Sequence, residues 1–435
     1  MSSLLRSRNF NLVKMHICNT SSSLINQYKL PFLPKVCYSV QVKNDLKQKC
    51  VNLTWEDGIT TRYPHLYLRD HCRCSACYDS ISEQRFLFNC IYDNYKDKIA
   101  KEVRICDKGE RLQIDWYEDE KHPYSEFKLD WLRKYRFSTE EDEMVASNIY
   151  HRDRQIWGSE MLNKIPRYDF YALLQDKLEL YRWLRSLIKI GITILDNVPE
   201  KPGQMHKLAD RVSFLKLTTY GPTFQVESRS VASNVAFTNA GLAMHTDLAF
   251  ITYVPGVQML HCISKAGQGG ESRFVDGFRA ATQLKEKYPE AFNLLVKYPI
   301  RYYDVGKDYI TFNQLTQHPI IRLHDNGELK QIVYADHPRS PLMGVPQNKV
   351  IDLYDAMSKF LECVYDPSNM IYTLLESGSM MVLDNFRVMH GRASYEVKPG
   401  SCRHLEGGYL DWDEVTSRMR VLERELNIDY TSAIV

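Results

Sequence analysis

Two histidines and one aspartate stand out for what they could do together: His245 and Asp247 flank Thr246, and His390 follows far downstream. Two imidazoles and a carboxylate can occupy one face of an Fe(II) ion and leave its other positions open for O2 and a cosubstrate. Residues two apart on an extended strand project to the same face. The spacing therefore predicts that His245 and Asp247 enter the site from one strand and His390 from another. Arg403 comes after His390 at a distance suited to the neighbouring antiparallel strand of the same sheet, where a guanidinium can take a carboxylate bidentately. Iron with open positions beside a fixed carboxylate anchor describes 2-oxoglutarate chemistry. The keto acid would chelate the metal while Arg403 holds its distal carboxylate.

A second cluster lies nearer the N-terminus, where Cys72, Cys74 and Cys77 supply three soft thiolates in a stretch too short for disulfide partners. Such a trio suits a closed tetrahedral Zn2+ site, completed by one more nitrogen or sulfur. His71 is the local candidate, although a residue adjacent to Cys72 is poorly aimed to close the same tetrahedron. A zinc unit can serve nucleic acid binding, but neither a basic stripe nor a recognition helix accompanies this one. With a net charge of only +2 over 435 residues, nothing points to nucleic acid. The expected role is structural, stapling a small domain.

The elements that must position these residues can be read coarsely. Residues 1–44 contain no Asp or Glu but carry Arg6, Arg8, Lys14, Lys29, Lys35 and Lys43. Such a segment reads as a mitochondrial transit peptide, or as a disordered tail. A small β-rich zinc domain is expected over 45–137, where Leu112 to Trp116 alternates apolar and polar. The polar stretch 138–165 reads as a linker, and 166–435 as the catalytic domain. There, Tyr171 to Ile188 has helical spacing, as do Gly277 to Tyr288 and Lys349 to Tyr365. Strand character appears at 191–196, 256–263, 273–275, 330–334 and 380–383. Many short strands with a few helices predict a mainly β fold with flanking helices, a sandwich or jelly roll rather than a doubly wound sheet. At the C-terminus Asp411 is placed to cap a helix. Its stripe of Trp412, Val415, Met419, Leu422 and Leu426 must dock on its own domain or form a dimer seam. No run reaches the ~18 apolar residues of a membrane span.

Several stretches resemble the γ-butyrobetaine and trimethyllysine dioxygenase family of Fe(II)/2-oxoglutarate oxygenases. They are His245-Thr-Asp247, Pro255 to Cys262, Gly269 to Ser272, Val275 to Gly277, His390-Gly-Arg392 and Arg403 to Trp412. The similarity runs from about residue 50 to the C-terminus. It implies a double-stranded β-helix (jelly roll) catalytic domain with a zinc domain in front and ascorbate keeping the iron reduced; a homodimer is expected through the C-terminal helix. By position it implies His122 as the fourth zinc ligand, with Asn234 and Ser272 joining Arg403 on 2-oxoglutarate. It also implies an aromatic cage of Tyr220, Phe224, Phe237 and Tyr409 around a quaternary ammonium, the cation–π arrangement such a group requires. The implied reaction is hydroxylation of γ-butyrobetaine at C3 to L-carnitine, with trimethyllysine as the alternative substrate. Readings of another class are a zinc-dependent hydrolase using the same triad and a non-catalytic binder of the cation. The family's clamp on the substrate carboxylate is not carried over, because Leu248 follows the iron aspartate and the later strand reads Val333-Tyr-Ala-Asp336-His-Pro-Arg339. Arg339 is the expected replacement, or Asp336 instead meets an α-ammonium, as trimethyllysine would require.

Overall fold

The structure, a computed structural model, describes residues 40–86, 98–117, 124–137, 154–226, 240–265, 269–395 and 403–428. It divides into two compact units, Met1–Ala146 and Ser147–Val435.

The first unit holds two antiparallel three-stranded sheets. One is β1 (Gln41–Asp45), β2 (Cys50–Thr54) and β3 (Thr60–Pro64), followed by α1 (His65–Asp70) and a short hairpin, β4 (Tyr78–Asp79) with β5 (Gln84–Arg85). The other is β6 (Ala100–Cys106), β7 (Arg111–Trp116) and β8 (Tyr124–Lys128), followed by α2 (Leu129–Lys134). The alternation in β7 buries Leu112, Ile114 and Trp116 against Val51, Leu53 and Tyr63. His65 pins the two sheets together: Ala100 N donates to its Nδ1, so its Nε2 carries the proton toward Asn44 Oδ1 at 2.9 Å. The folded unit thus begins earlier than expected, because residues 41–44 pair in register with β2 rather than belonging to a free leader.

In the second unit the expected linker is shorter at its C-terminal end. Trp157, Met161 and Ile165 are buried, and Trp157 donates from Nε1 to Ile190 O at 2.7 Å. After β9 (Arg167–Asp169), the expected helix over 171–188 is two helices, α3 (Phe170–Gln175) and α4 (Lys177–Ile190). Asp176 separates them, because its extended backbone lets its carboxylate cap Leu178 N and Glu179 N. Gly191, in the left-handed region at φ 81°, ends α4 and starts β10 (Ile192–Asp196). Then come α5 (Gln204–Val212), β11 (Thr223–Val226), β12 (Leu242–His245), β13 (Val257–Ser264) and β14 (Ser272–Asp276).

The next segment contains α6 (Gly277–Lys287), α7 (Pro289–Lys297), the hairpin β15 (Pro299–Lys307) with β16 (Thr311–Pro319), β17 (Ile321–Leu323), β18 (Leu329–Ile332) and α8 (Val350–Val364). The β15–β16 hairpin escapes a reading by periodicity, because polar residues occupy much of both its faces. The chain finishes with β19 (Met370–Thr373), β20 (Ser379–Asp384), β21 (Val388–Arg392), β22 (His404–Leu410) and α9 (Trp412–Leu426). The remaining expected strands and helices lie within two residues of their observed bounds.

Two sheets form the frame: β11-β22-β13-β20-β10-β9 and β12-β21-β14-β19. From β11 onward the chain changes sheet at each successive frame strand except between β14 and β19. Phe274, Ile371 and Val388 of the smaller sheet pack with Cys262, Met381 and Leu405 of the larger one. The stripe on α9 is consumed within this unit, since Trp412, Val415, Met419 and Leu422 join α4 and α5 in one buried cluster. Asp411 does not cap α9 with its side chain; that carboxylate instead accepts from Lys216 Nζ at 2.6 Å.

His261 on β13 is fully buried, and neither ring nitrogen has a hydrogen-bond partner among the described residues. Burial, with a smaller push from His404, lowers its pKa to about 4. Above the unfolded value of ~6.5 the ring is neutral in both states. As pH falls from there to about 4, only the unfolded chain takes the proton, so folding stability falls by roughly 1.4 kcal/mol per pH unit for this group. Urea titrations across that window should show a shallower acid loss in His261→Leu than in the parent; equal slopes would mean the ring is not held neutral.

Candidate active site

β12 and β21 run antiparallel with His245 opposite His390. The register is irregular between Leu242 and His245, and a Cβ on Gly391 would meet Leu242 O at 2.7 Å. Glycine permits that approach, and the imidazole centroids of the paired His245 and His390 lie 4.2 Å apart. β12 ends at His245, so Asp247 does not sit on the strand as the spacing predicted. It opens the following turn, yet its Oδ1 still reaches His245 Nε2 at 3.2 Å and His390 Nε2 at 3.4 Å. Ligands cis to one another on a metal with ~2.1 Å bonds lie roughly 3 Å apart, so the three donors fit a single ion. His245 Nδ1 lies 2.8 Å from Ala243 O, which assigns the proton to that nitrogen and leaves the Nε2 lone pair facing the site.

The carboxylate of Asp247 is enclosed by protein. Burial alone would raise its pKa, but His390 and His245 outweigh that and hold it well below the usual range. Tyr409 Oη donates to its Oδ2 at 2.7 Å, and the Gln258 amide donates to the same oxygen. Burial, then the facing Asp247, raises the Tyr409 phenol well above its ordinary value, so it stays a donor. The backbone of Asp247 is held as well. Asn385 accepts from Asp247 N at 2.7 Å and donates to Asp247 O at 3.2 Å and to Pro255 O at 3.0 Å. Asn385 and the nearby Arg387 belong to the turn between β20 and β21 that delivers His390. Arg387 is fully buried against Asp276, and its guanidinium also donates to Lys189 O at 3.0 Å.

Arg403 does not lie on a strand beside His390. It immediately precedes β22, which belongs to the other sheet, because the chain crosses over between β21 and β22. Its guanidinium still lines the same cavity, together with Ser272 and Arg392. Arg392 and Arg403 lie 5.0 and 5.4 Å from the Tyr395 ring. Burial, and then Arg392, lowers Arg403 to about 10. Two guanidiniums desolvated side by side repel one another, and a carboxylate placed against them relieves the repulsion.

On another wall Phe224 and Tyr409 stack at 5.5 Å, with Tyr220 at 6.4 Å from Phe224. Phe224 lies so tightly on Gly407 that a Cβ there would overlap its ring. Tyr220 is oriented by its hydroxyl, which donates to Asp304 Oδ2 at 2.6 Å. Three expected cage rings therefore meet in one cavity, whereas Phe237 and Asn234 lie outside the described residues. Leu248 also lines the cavity, at a left-handed φ of 56° that is uncommon for a branched side chain. Neither Arg339, the expected replacement for the carboxylate clamp, nor Asp336, the expected partner of an α-ammonium, is on its walls. Asp336 and Arg339 instead pair with each other at 2.7 Å, and the wall is made by Ala335, His337 and Pro338.

In the first unit, the ligand atoms of Cys72, Cys74 and Cys77 lie within 4.8 Å of one another. Cys74 O accepts from Cys77 N and Tyr78 N, each at 3.0 Å, which curls the backbone around the cluster. Burial, and then Cys72, pushes the Cys77 thiol up to about 12, a crowding that a bound cation reverses. His71 turns away, its Nδ1 at 2.9 Å from Tyr67 O, and it is not among the clustered ligands. His122 lies outside the described residues.

Gln258, Asn385, Arg392 and His337 were not singled out from the sequence as site residues. Gln258, Asn385 and Arg392 fall in or beside the motif stretches, but their partners are set by contacts between distant segments. Asn385→Ala removes both ties on the Asp247 backbone. Anaerobic titration is expected to show metal affinity down about 10- to 100-fold; unchanged affinity would mean the clamp is dispensable.

The taurine catabolism dioxygenase TauD, TfdA family matches residues 152–409, and the γ-butyrobetaine hydroxylase-like N-terminal family matches residues 42–133. γ-Butyrobetaine dioxygenase of Homo sapiens is 36% identical over 86% of this chain and 95% of its own length. The enzyme of that name from Pseudomonas sp. (strain AK-1) is 34% identical over 86% and 94%. Mitochondrial trimethyllysine dioxygenase of Mus musculus is 30% identical over 86% and 88%.

Proposed function

Because this chain belongs to the γ-butyrobetaine dioxygenase family, within the wider TauD, TfdA family, we propose that it hydroxylates γ-butyrobetaine at C3 to L-carnitine. The enzyme class is an Fe(II)- and 2-oxoglutarate-dependent dioxygenase. The observation that carries the reading is the convergence of His245, Asp247 and His390 in a cavity whose other walls hold Arg403 and three aromatic rings. Fe(II) bound there would support the coupled oxidation in which γ-butyrobetaine, 2-oxoglutarate and O2 give carnitine, succinate and CO2, with one oxygen atom entering each organic product.

The chain's own residues supply orientation. Arg403, with Ser272 and Arg392 beside it, receives the distal carboxylate of 2-oxoglutarate; Asn234 is assigned to the same cosubstrate. Tyr220, Phe224 and Tyr409 take the trimethylammonium group, which cannot donate a hydrogen bond and is best held by ring faces in a dry pocket; Phe237 is assigned to the same group from the family resemblance alone. Because Tyr409 both faces the cation and donates to Asp247, the cage is fixed relative to the iron ligands, and the choice of carbon becomes a matter of positioning. Intact metal ligands argue against a binder without turnover, and the buried Arg392 and partly buried Arg403 lining the cavity argue against a zinc hydrolase.

The strand order β11-β22-β13-β20 facing β12-β21-β14-β19 supports a double-stranded β-helix. Cys72, Cys74, Cys77 and His122 are assigned to a structural zinc. Ascorbate is assigned to keeping the iron reduced. The acid-poor, basic N-terminus supports a mitochondrial location. A homodimer would have to use a surface other than the α9 stripe, which is already buried within the unit.

With Fe(II), 2-oxoglutarate and ascorbate, mass spectrometry should find carnitine and succinate in equal amounts from γ-butyrobetaine, and neither above background from His390→Ala. Arg403→Lys, which loses the planar fork, should raise the KM for 2-oxoglutarate roughly tenfold or more. Hydroxytrimethyllysine from trimethyllysine supplied separately, with no carnitine from γ-butyrobetaine, would overturn the substrate assignment. Elemental analysis should find one zinc per chain, and Cys77→Ser should lose it together with the fold of the N-terminal unit; a stable, zinc-free parent would refute the staple.

A further inference from the structure

Among the described residues lining the cavity, one polar side chain is accounted for by neither the metal site nor the cosubstrate end. Of the polar side chains lining it, His245, Asp247 and His390 face the metal position, and Tyr409 and the Gln258 amide N–H are committed to Asp247, the Gln258 Oε1 being an acceptor that offers nothing to a carboxylate. Tyr220 is committed to Asp304, while Ser272, Arg392 and Arg403 form the cosubstrate end. His337 remains, solvent-accessible at the cavity wall and with no hydrogen-bond partner among the described residues. Its position is nonetheless fixed. Thr246 N donates to Tyr334 O at 2.7 Å and Tyr334 N donates to Thr246 Oγ1 at 3.0 Å, tying the segment that bears His337 to the turn that bears Asp247. Downstream, Tyr303 N donates to Pro338 O at 2.8 Å. The ring is held with its centroid 5.7 Å from that of His245, edge to face.

We propose that His337 is a specificity-determining residue that donates an imidazole N–H to the carboxylate of the substrate while the aromatic rings hold its quaternary ammonium. This rests on the reading of the reaction given above and deepens it. Leu248 and Phe250 line the cavity without offering a donor, and Asp336 and Arg339 are paired to each other off its walls. An amino-acid head group would need an acidic partner for its ammonium as well as a donor for its carboxylate. Among the described lining residues the only acid is Asp247, already committed to the metal position. A substrate ending in a carboxylate alone therefore matches the wall better than one ending in an α-amino acid.

The test compares γ-butyrobetaine with butyltrimethylammonium, which keeps the cation and chain length but replaces the carboxylate with a methyl group. In His337→Ala, kcat/KM for the betaine should fall about tenfold or more, mostly through KM, and at most about twofold for butyltrimethylammonium. His337→Asn, which keeps an N–H donor, should recover part of the loss. Equal falls for both compounds, no fall for the betaine, or a Fe(II) requirement that rises in step would overturn the assignment, the last because the ring would then act through His245. Absence of betaine hydroxylation by the parent enzyme would overturn the reaction itself and the carboxylate role with it, whereas turnover by the parent with an indifferent variant would overturn the carboxylate role alone.

Discussion

A carboxylate removed from water costs several kcal/mol unless its oxygens are paired, and Asp247 is almost wholly enclosed. Its oxygens meet two imidazoles, a phenol and a primary amide, drawn from β12, β21, β22 and β13. Each partner comes from a different strand, so the carboxylate is satisfied only when the two sheets are assembled. The metal position is therefore a product of the completed fold rather than of any local segment.

The same dependence appears in the turn between β20 and β21. Asp384 accepts from Trp412 Nε1 at 3.0 Å, Asn385 holds the Asp247 backbone, and Arg387 forms a fully buried pair with Asp276. Asp276 in turn caps α6 and accepts from Trp157 N at 3.1 Å. One short turn thus links the start of the C-terminal helix, the metal turn, β14 and the segment entering the unit. Removing one member of such a buried pair strands the other charge, which is why these contacts fix geometry even where their net contribution to stability is small.

The cavity separates its tasks by chemistry. Its cationic end, with Arg392 and Arg403, suits a dicarboxylate; its aromatic wall suits a soft cation; and the metal donors lie in the same cavity. Tyr409 belongs to two of these parts, stacking on Phe224 while donating to Asp247. Substrate position and metal-ligand position are consequently not independent.

The donor types are legible in the sequence: His245, Asp247 and His390, the cysteine trio, Arg403 and the aromatic residues can all be read there, because ligand chemistry depends on residue identity and spacing. So are most frame strands and helices, whose periodicity is local. The helix break at Asp176 was missed, since a cap needs only one carboxylate and leaves the apolar stripe intact. Tertiary structure alone decided that Asp247 approaches from a turn rather than a strand, and that Arg403 arrives from the opposite sheet. It also decided that Asp336 and Arg339 pair away from the cavity while His337 lines it. These facts depend on which strands cross between sheets and which backbones approach closely, and on contacts between residues more than a hundred positions apart, such as Asn385 with Asp247. No local pattern encodes such a contact, because the free energy that selects it is gained only when the sheets close on one another.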